Sequence, residues 1–328
     1  MPDPGLWLRH TDALPLGPLI HLPVPAAPCL LSLVLFSAGL QVPVRELGRV
    51  LRRPSALFAG LALHLAIPLL AIPLLAIPLV AFLLHRTPDT DGGSGLVTAM
   101  ILIVPMPVAA GATVWTGKGD GDQPTMVGLV LASTLLSPLT TPLVIQFLTP
   151  LLSGGYPDSL TTSLPTTGAG FTLAGVVLPC ATGILVRIAL PPRWTGQALR
   201  VVAPVALAGS LLLTYVNASG ALGSFIAHPH PLLTGAALIV AALVCLLSFA
   251  LGRGAARLLP LDPPAASSLT LACGMNNSSA SAVLLTAALP DEPHLLLPVL
   301  AYGLLQKTAA NRVVRPRARR PACPSPTG

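Results

Sequence analysis

The sequence predicts an all-α polytopic membrane protein, and three observations carry that prediction. Of 328 residues, 53% are hydrophobic and only 9% are charged, where soluble domains are roughly a quarter charged. The mean hydropathy is +0.79, so lipid has to be the solvent for most of the surface. Apolar runs recur at 26–44, 55–84, 95–116, 125–151, 169–190, 200–222, 232–252, 266–288 and 294–314, and a crossing helix needs about 20 residues. About nine transmembrane helices therefore fill the chain. No length remains for a sizeable soluble domain, which excludes soluble enzymes, DNA readers and disulfide scaffolds. A nucleic-acid partner is excluded as well, since almost no polar surface exists to carry a binding face.

Ahead of the first run, residues 13–25 are apolar but short and broken by Pro15, Pro18, Pro23 and Pro25. Residues 1–25 read as an outside or interfacial stub rather than a signal peptide, because a compact basic start and a small-residue cleavage site are missing. If the spans alternate sides, the basic residues sort by side as retained loops require. Arg45, Arg49, Arg52, Arg53, Lys118, Arg187, Arg193, Arg200, Arg253, Arg257, Arg312, Arg315, Arg317, Arg319 and Arg320 fall together. Arg9 and Arg86 fall opposite, and Lys307 is assigned to neither side. The expectation is a plasma (inner) membrane protein with its N-terminus outside, its C-terminus cytoplasmic, and residues 315–328 as a basic cytoplasmic tail.

The second run contains LAIPLLAIPLLAIPLV at 65–80, with Pro68, Pro73 and Pro78 on a five-residue period. Each proline removes a helix hydrogen bond, so this helix should kink or overhang the bilayer. Cys29, Cys180, Cys245 and Cys273 lie in spans and Cys323 in the tail, without paired spacing. They read as small buried residues rather than metal ligands.

Polar groups kept inside a bilayer are the first candidates for function. All 11 acidic residues map to loops or ends of spans, which argues against a carboxylate proton relay or paired-carboxylate catalysis. No Ser-His-Asp or HExxH arrangement sits at membrane depth, so an enzyme is not expected and no cofactor is implied. Two runs are interrupted. The third reads VPMPVAAGATVW, with Pro105, Pro107 and Gly111, and the eighth reads ACGMNNSSAS, with Gly274, Asn276, Asn277, Ser278, Ser279 and Ser281. Helix breakers at bilayer depth survive only where the freed backbone is buried in protein or lines a cavity. Paired broken helices point to a transporter site, where half-helix N-termini face an anion and unwound carbonyls can hold a cation.

The residues LFSAGLQVPVRELGRVLRRP at 35–54, KGD at 118–120, STLLSPLTTPL at 133–143, GMNNSSA at 274–280 and PVLAYGLLQ at 298–306 resemble the bile acid/sodium symporter family, part of the bile/arsenite/riboflavin transporter superfamily. The resemblance runs from about residue 26 to 311. It implies an inverted-repeat transporter fold with panel and core bundles and two broken crossing helices. The first repeat (26–151) would carry four helices, its first being lost, and the second (152–314) five. It implies alternating-access transport of a small organic anion, bile-acid-like or carboxylate, across the lipid bilayer. Oligomeric state is not set by the sequence.

Matched by position, the family's Ser-Asn pair in the first crossing helix falls on Ala110 and Gly111. Its Ser and Thr ligands in the next span fall near Met126 and Val130. Its Glu before Gly-Met falls on Ala272, its Gln and Asn after Gly-Met match Asn276 and Asn277, and its Gln in the preceding span falls on Leu63 or His64. Most sodium-ligand side chains implied by the resemblance are replaced, so either sodium or a proton remains as the coupling ion. Candidate substrate-binding residues are Gly111, Ala112, Thr113, Asn276, Asn277, Ser278 and Lys307. Candidate ion-coupling residues are His64, Met275, Asn276 and Lys307. The family's polar Asn in the last helix lands on Lys307, where a buried ammonium would replace the missing sodium charge; the alternative is a lysine that snorkels to the interface. Trp115 and Tyr302 read as interface or packing aromatics. An arsenite-type exporter is a second reading, since VWTGKGDGD is similar to that branch, although its thiol aligns with Val108. A non-transporting membrane sensor is a third.

Overall fold

Helix occupies each of the nine apolar stretches, and among the described residues no strand forms beyond a single isolated bridge. The computed structural model describes residues 26–42, 54–84, 93–227, 231–290 and 292–314. The N-terminal stub, Arg45, Arg49, Arg52, Arg53, Arg86 and the basic tail lie outside the described residues. The helices are α1 (Ala26–Leu40), α2 (Pro54–Ala71), α3 (Ile77–Leu84), α4 (Ser94–Ile103), α5 (Ala112–Lys118), α6 (Gln123–Leu148), α7 (Tyr156–Phe171), α8 (Leu178–Ala189), α9 (Pro192–Ala227), α10 (Pro231–Leu258), α11 (Pro263–Gly274), α12 (Ser278–Ala288) and α13 (Leu296–Val314). Two π-helical stretches, Ile72–Ala76 and Thr172–Val177, join α2 to α3 and α7 to α8 without a break.

Among the described residues, five helical stretches are long and apolar enough to cross a membrane, namely Ser55–Leu84, Gln123–Leu151, Thr172–Ala189, Arg193–Ser219 and Pro231–Leu258. Their outward faces carry Phe58, Leu74, Phe82, Phe147 and Leu211, all exposed. A monomer in water could not present so large an apolar surface, whereas lipid tails accept it. The five described acidic residues, Asp120, Asp122, Asp158, Asp262 and Glu292, sit in loops or at helix starts.

Proline placement shapes the elements. In the LAIPL repeat the helix does not stop: the Ile77 N–H reaches back to the Ile72 carbonyl, one residue farther than in an α-helix. The π-turn absorbs the register that Pro73 and Pro78 disturb. The overhang does follow, since the 30 residues of Ser55–Leu84 span about 45 Å against a hydrocarbon core of about 30 Å. Two boundaries differ from expectation. The fifth span begins at Tyr156 rather than near 169, and the sixth covers Pro192–Ala227 rather than 200–222. Hydropathy marks the lipid-buried window, but the helix itself starts where Pro157 and Asp158, or Pro192, suit a first turn.

The helices sort into two groups. In the panel, α1 packs chiefly on α8 and α9. In the core, α10 packs on α11 and α13, and α2 on α6. The panel contact is backbone to backbone. A Cβ on Gly39 would strike the Cys180 carbonyl, and one on Gly183 would strike the Phe36 carbonyl, the close approach that small residues allow between membrane helices. At the centre of the core, every residue of α4 is buried, as a helix apolar all round should be.

Because neither carbonyl can move aside, Gly39→Ala should destabilise the folded protein by about 1–3 kcal/mol. Thermal unfolding in detergent measures this as a lowered Tm. Gly254→Ala, whose new Cβ meets nothing within 4 Å, should leave Tm unchanged or raise it, because alanine favours helix.

Candidate functional site

The two interrupted spans meet. The first unwinds between α4 and α5 and the second between α11 and α12, and Val108 and Asn276 form an antiparallel bridge where they cross. The Ala109 N–H donates to the Met275 carbonyl at 2.8 Å, and the Asn277 N–H donates to the Pro107 carbonyl at 2.9 Å. Each break thus supplies the partners that the other lacks. An unpaired peptide group would cost several kcal/mol in lipid.

Side chains complete the pairing. The Gln306 amide in α13 accepts from the Asn276 N–H at 2.9 Å and donates back to the Asn276 carbonyl at 3.0 Å, pairing with that peptide as a neighbouring strand would. Asn276 Nδ2 donates to the Tyr302 hydroxyl at 3.2 Å. From α6, Ser133 Oγ accepts from the Val108 N–H at 3.1 Å, and the Thr141 hydroxyl donates to the Pro105 carbonyl at 3.1 Å. The STLLSPLTTPL segment therefore holds the first break in place.

Capping sets where the half-helices start. Asp262 accepts from the Ala265 N–H at 3.1 Å and opens α11, followed by Pro263 and Pro264. Asn277 accepts from the Ala280 N–H at 3.1 Å and opens α12. Gly274 has no side chain, so the Phe249 ring packs directly on the backbone there. Gly93, with φ of 77°, turns the chain into α4 in the left-handed region where glycine is favoured.

Among the candidate residues, Met275, Asn276 and Asn277 stand in the crossing itself, and Ser278 opens α12 beside it. Gly111, Ala112 and Thr113 stand at the start of α5: Gly111 is exposed with open space where a side chain would be, Ala112 is buried, and the Thr113 carbonyl accepts from Gln123 Nε2 at 2.9 Å. His64 is buried in α2, and its Nε2 has no hydrogen-bond partner. Asn276 Oδ1 and Ser281 Oγ are likewise buried without a partner.

Lys307 does not meet the expectation of a buried ammonium. Its residue is exposed, on the outer face of α13 with Leu304, Thr308 and Asn311. The buried face carries Val299, Tyr302, Gly303, Gln306 and Ala310, so a shift of one position turns the side chain about 100° away from the core. Gln306 is the polar residue of the last helix that reaches the site, and the i, i+4 spacing from Tyr302 was its signal. Tyr302, expected as a packing aromatic, also hydrogen-bonds Asn276.

Gln306→Leu should strand the Asn276 N–H, at about 1–3 kcal/mol, leave the Asn276 carbonyl with the Ser278 N–H alone, and lower Tm. Lys307→Met should leave Tm within error of the parent protein.

The sodium bile acid symporter family profile matches residues 28–228, a stretch that includes the first break and ends before the second. The uncharacterized sodium-dependent transporter YocS of Bacillus subtilis (strain 168) is 25% identical over 260 residues, 78% of this chain and 72% of that protein. A sodium-dependent organic anion transporter of Rattus norvegicus is 30% identical over 195 residues, 58% of this chain and 46% of the rat protein. With a match over more than half its length and two broken helices paired at their breaks, the chain belongs to the sodium bile acid symporter family.

Proposed function

We propose that this member of the family is a secondary transporter of a small organic anion, working by alternating access at the crossing. Family membership supports a transporter of the sodium bile acid symporter type rather than an enzyme. One named relative is an organic anion transporter. The observation that carries the proposal is the pairing of the two breaks beside buried, unpartnered polar atoms. Two half-helices begin at the crossing, α5 and α12, and two end there, α4 and α11. Their dipoles put partial positive charge at the starts and partial negative charge at the ends, which suits an anion and its counter-cation in one place. Gly111, Ala112, Thr113, Asn276, Asn277 and Ser278 belong to the two starts. Since the Gln306 pairing joins α13 to the second break, the crossing and α13 move together against the panel in this scheme.

The coupling ion is the finer part of the proposal. Hard cations are held by oxygen ligands, and sodium is one of them. At the crossing, Asn276 Oδ1 and Ser281 Oγ are oxygens without a partner, and no carboxylate stands there among the described residues. Two neutral oxygens do not by themselves balance a sodium charge, so no step of the cycle is assigned to sodium. His64 Nε2 is a buried, unpartnered titratable group in the apolar stretch Ser55–Leu84 and is the proposed proton carrier.

Purified protein in proteoliposomes should accumulate a labelled bile acid or aliphatic carboxylate, and replacing sodium by choline should leave uptake largely intact. His64→Gln should remove the response of uptake to an imposed pH gradient. Folded protein that accumulates no organic anion would sink the transport reading. Loss of uptake in choline would instead make sodium the coupling ion and remove the proton reading.

A further inference from the structure

A second site lies away from the crossing. Where α5, α10 and α13 finish and α11 begins, a pocket of about 810 Å³ opens, with Lys118, Arg253, Arg257 and Arg312 in its walls and Asp120 as the carboxylate among its lining residues. The four cations come from three different helices, and among the described residues none of them forms an ion pair with a carboxylate. Lys118 instead stands 4.9 Å over the ring of Trp115. Like charges gathered in one concavity repel, and a bound anion relieves that repulsion.

Sidedness alone does not explain the cluster. The panel helices carry Arg187, Arg193 and Arg200 near their ends as well, and these do not line the pocket. Among the described basic residues, Lys118, Arg253, Arg257 and Arg312 of α5, α10 and α13 converge. Three of the four groups are guanidiniums, whose planar forks match phosphate oxygens bidentately, and Ser267 adds a hydroxyl to the wall. Among the described residues, four cations facing one carboxylate call for an anion with more than one negative charge; a monocarboxylate, the proposed cargo, would leave most of the excess standing. The pocket sits at helix ends, the depth at which lipid headgroups lie, and basic pockets between membrane helices are suited to anionic headgroups.

We propose that this pocket binds a multiply charged phosphate group, supplied by an anionic phospholipid headgroup or by a soluble phosphate anion. The bound group bridges the end of the first crossing helix, through Lys118, to the start of the second, through Ser267, by way of α10 and α13. This inference is independent of the transport reading, because it needs only the pocket and its charge.

The test uses Trp115 as its reporter, in the full chain carrying W7F and W194F. Emission is followed while inorganic pyrophosphate is added to detergent-solubilised protein, and compared between phosphatidylcholine nanodiscs with and without cardiolipin. A saturable change is expected as the anion draws Lys118 from the ring. Arg257→Gln and Arg312→Gln should each weaken binding about tenfold, the value of one charge-assisted hydrogen bond. Arg257→Lys, which keeps the charge but not the fork, should fall between, and Arg187→Gln should bind as the parent does. Circular dichroism confirms that each variant is folded. A response to cardiolipin alone identifies the lipid as the source, a response to pyrophosphate alone identifies a soluble anion, and a response to both shows that the phosphate group suffices. No saturable response to either probe, or equal weakening by Arg187→Gln and Arg257→Gln, overturns the proposal.

Discussion

The structure depends on one constraint, that a peptide group in hydrocarbon must find a partner within the protein. A continuous helix meets it internally. Two interrupted helices meet it by lying across each other so that Ala109 pairs with Met275 and Asn277 with Pro107. The rest of the core serves that crossing. Ser133 and Thr141 come from α6, and Tyr302 and Gln306 from α13. The complete burial of α4 follows as well, since longer helices must surround a break to exclude lipid from it.

The same constraint explains how the proline-rich helix survives. A proline at either end of a π-turn removes a donor from a ladder that has already shifted its register, so the helix lengthens by a residue instead of breaking. The structure uses this device at Ile72–Ala76, with Pro73 and Pro78; a second π-turn, Thr172–Val177, is followed by Pro179 alone. Repetition of LAIPL thus leaves a continuous rod that outruns the bilayer, and the excess length has to appear as tilt or overhang.

The sequence made much of this architecture legible, because lipid solvent writes in long apolar runs and helix breakers are rare enough to stand out. Both breaks were visible from Pro105, Pro107 and Gly274. What could not be read was which atoms close them. The Val108–Asn276 bridge joins positions far apart in the chain through peptide groups, and peptide groups look alike at every residue. Gln306 was obscured differently. The charge of Lys307 is conspicuous, while the helical spacing that turns Gln306 inward is a matter of one residue. The start of α7 is not marked by apolarity, because its first turns are polar.

The bridge has a consequence for how such a scaffold changes over time. Its geometry is held by main-chain atoms and by the hydroxyl and amide groups of Ser133, Thr141 and Gln306. None of these coincides with Ala110, Met126, Val130 or Ala272, the positions at which the family resemblance implies sodium ligands. Frame and chemistry are therefore written in separate sets of residues. A lineage can lose its ion ligands one after another while the crossing keeps its shape, which leaves an intact architecture open to new cargo.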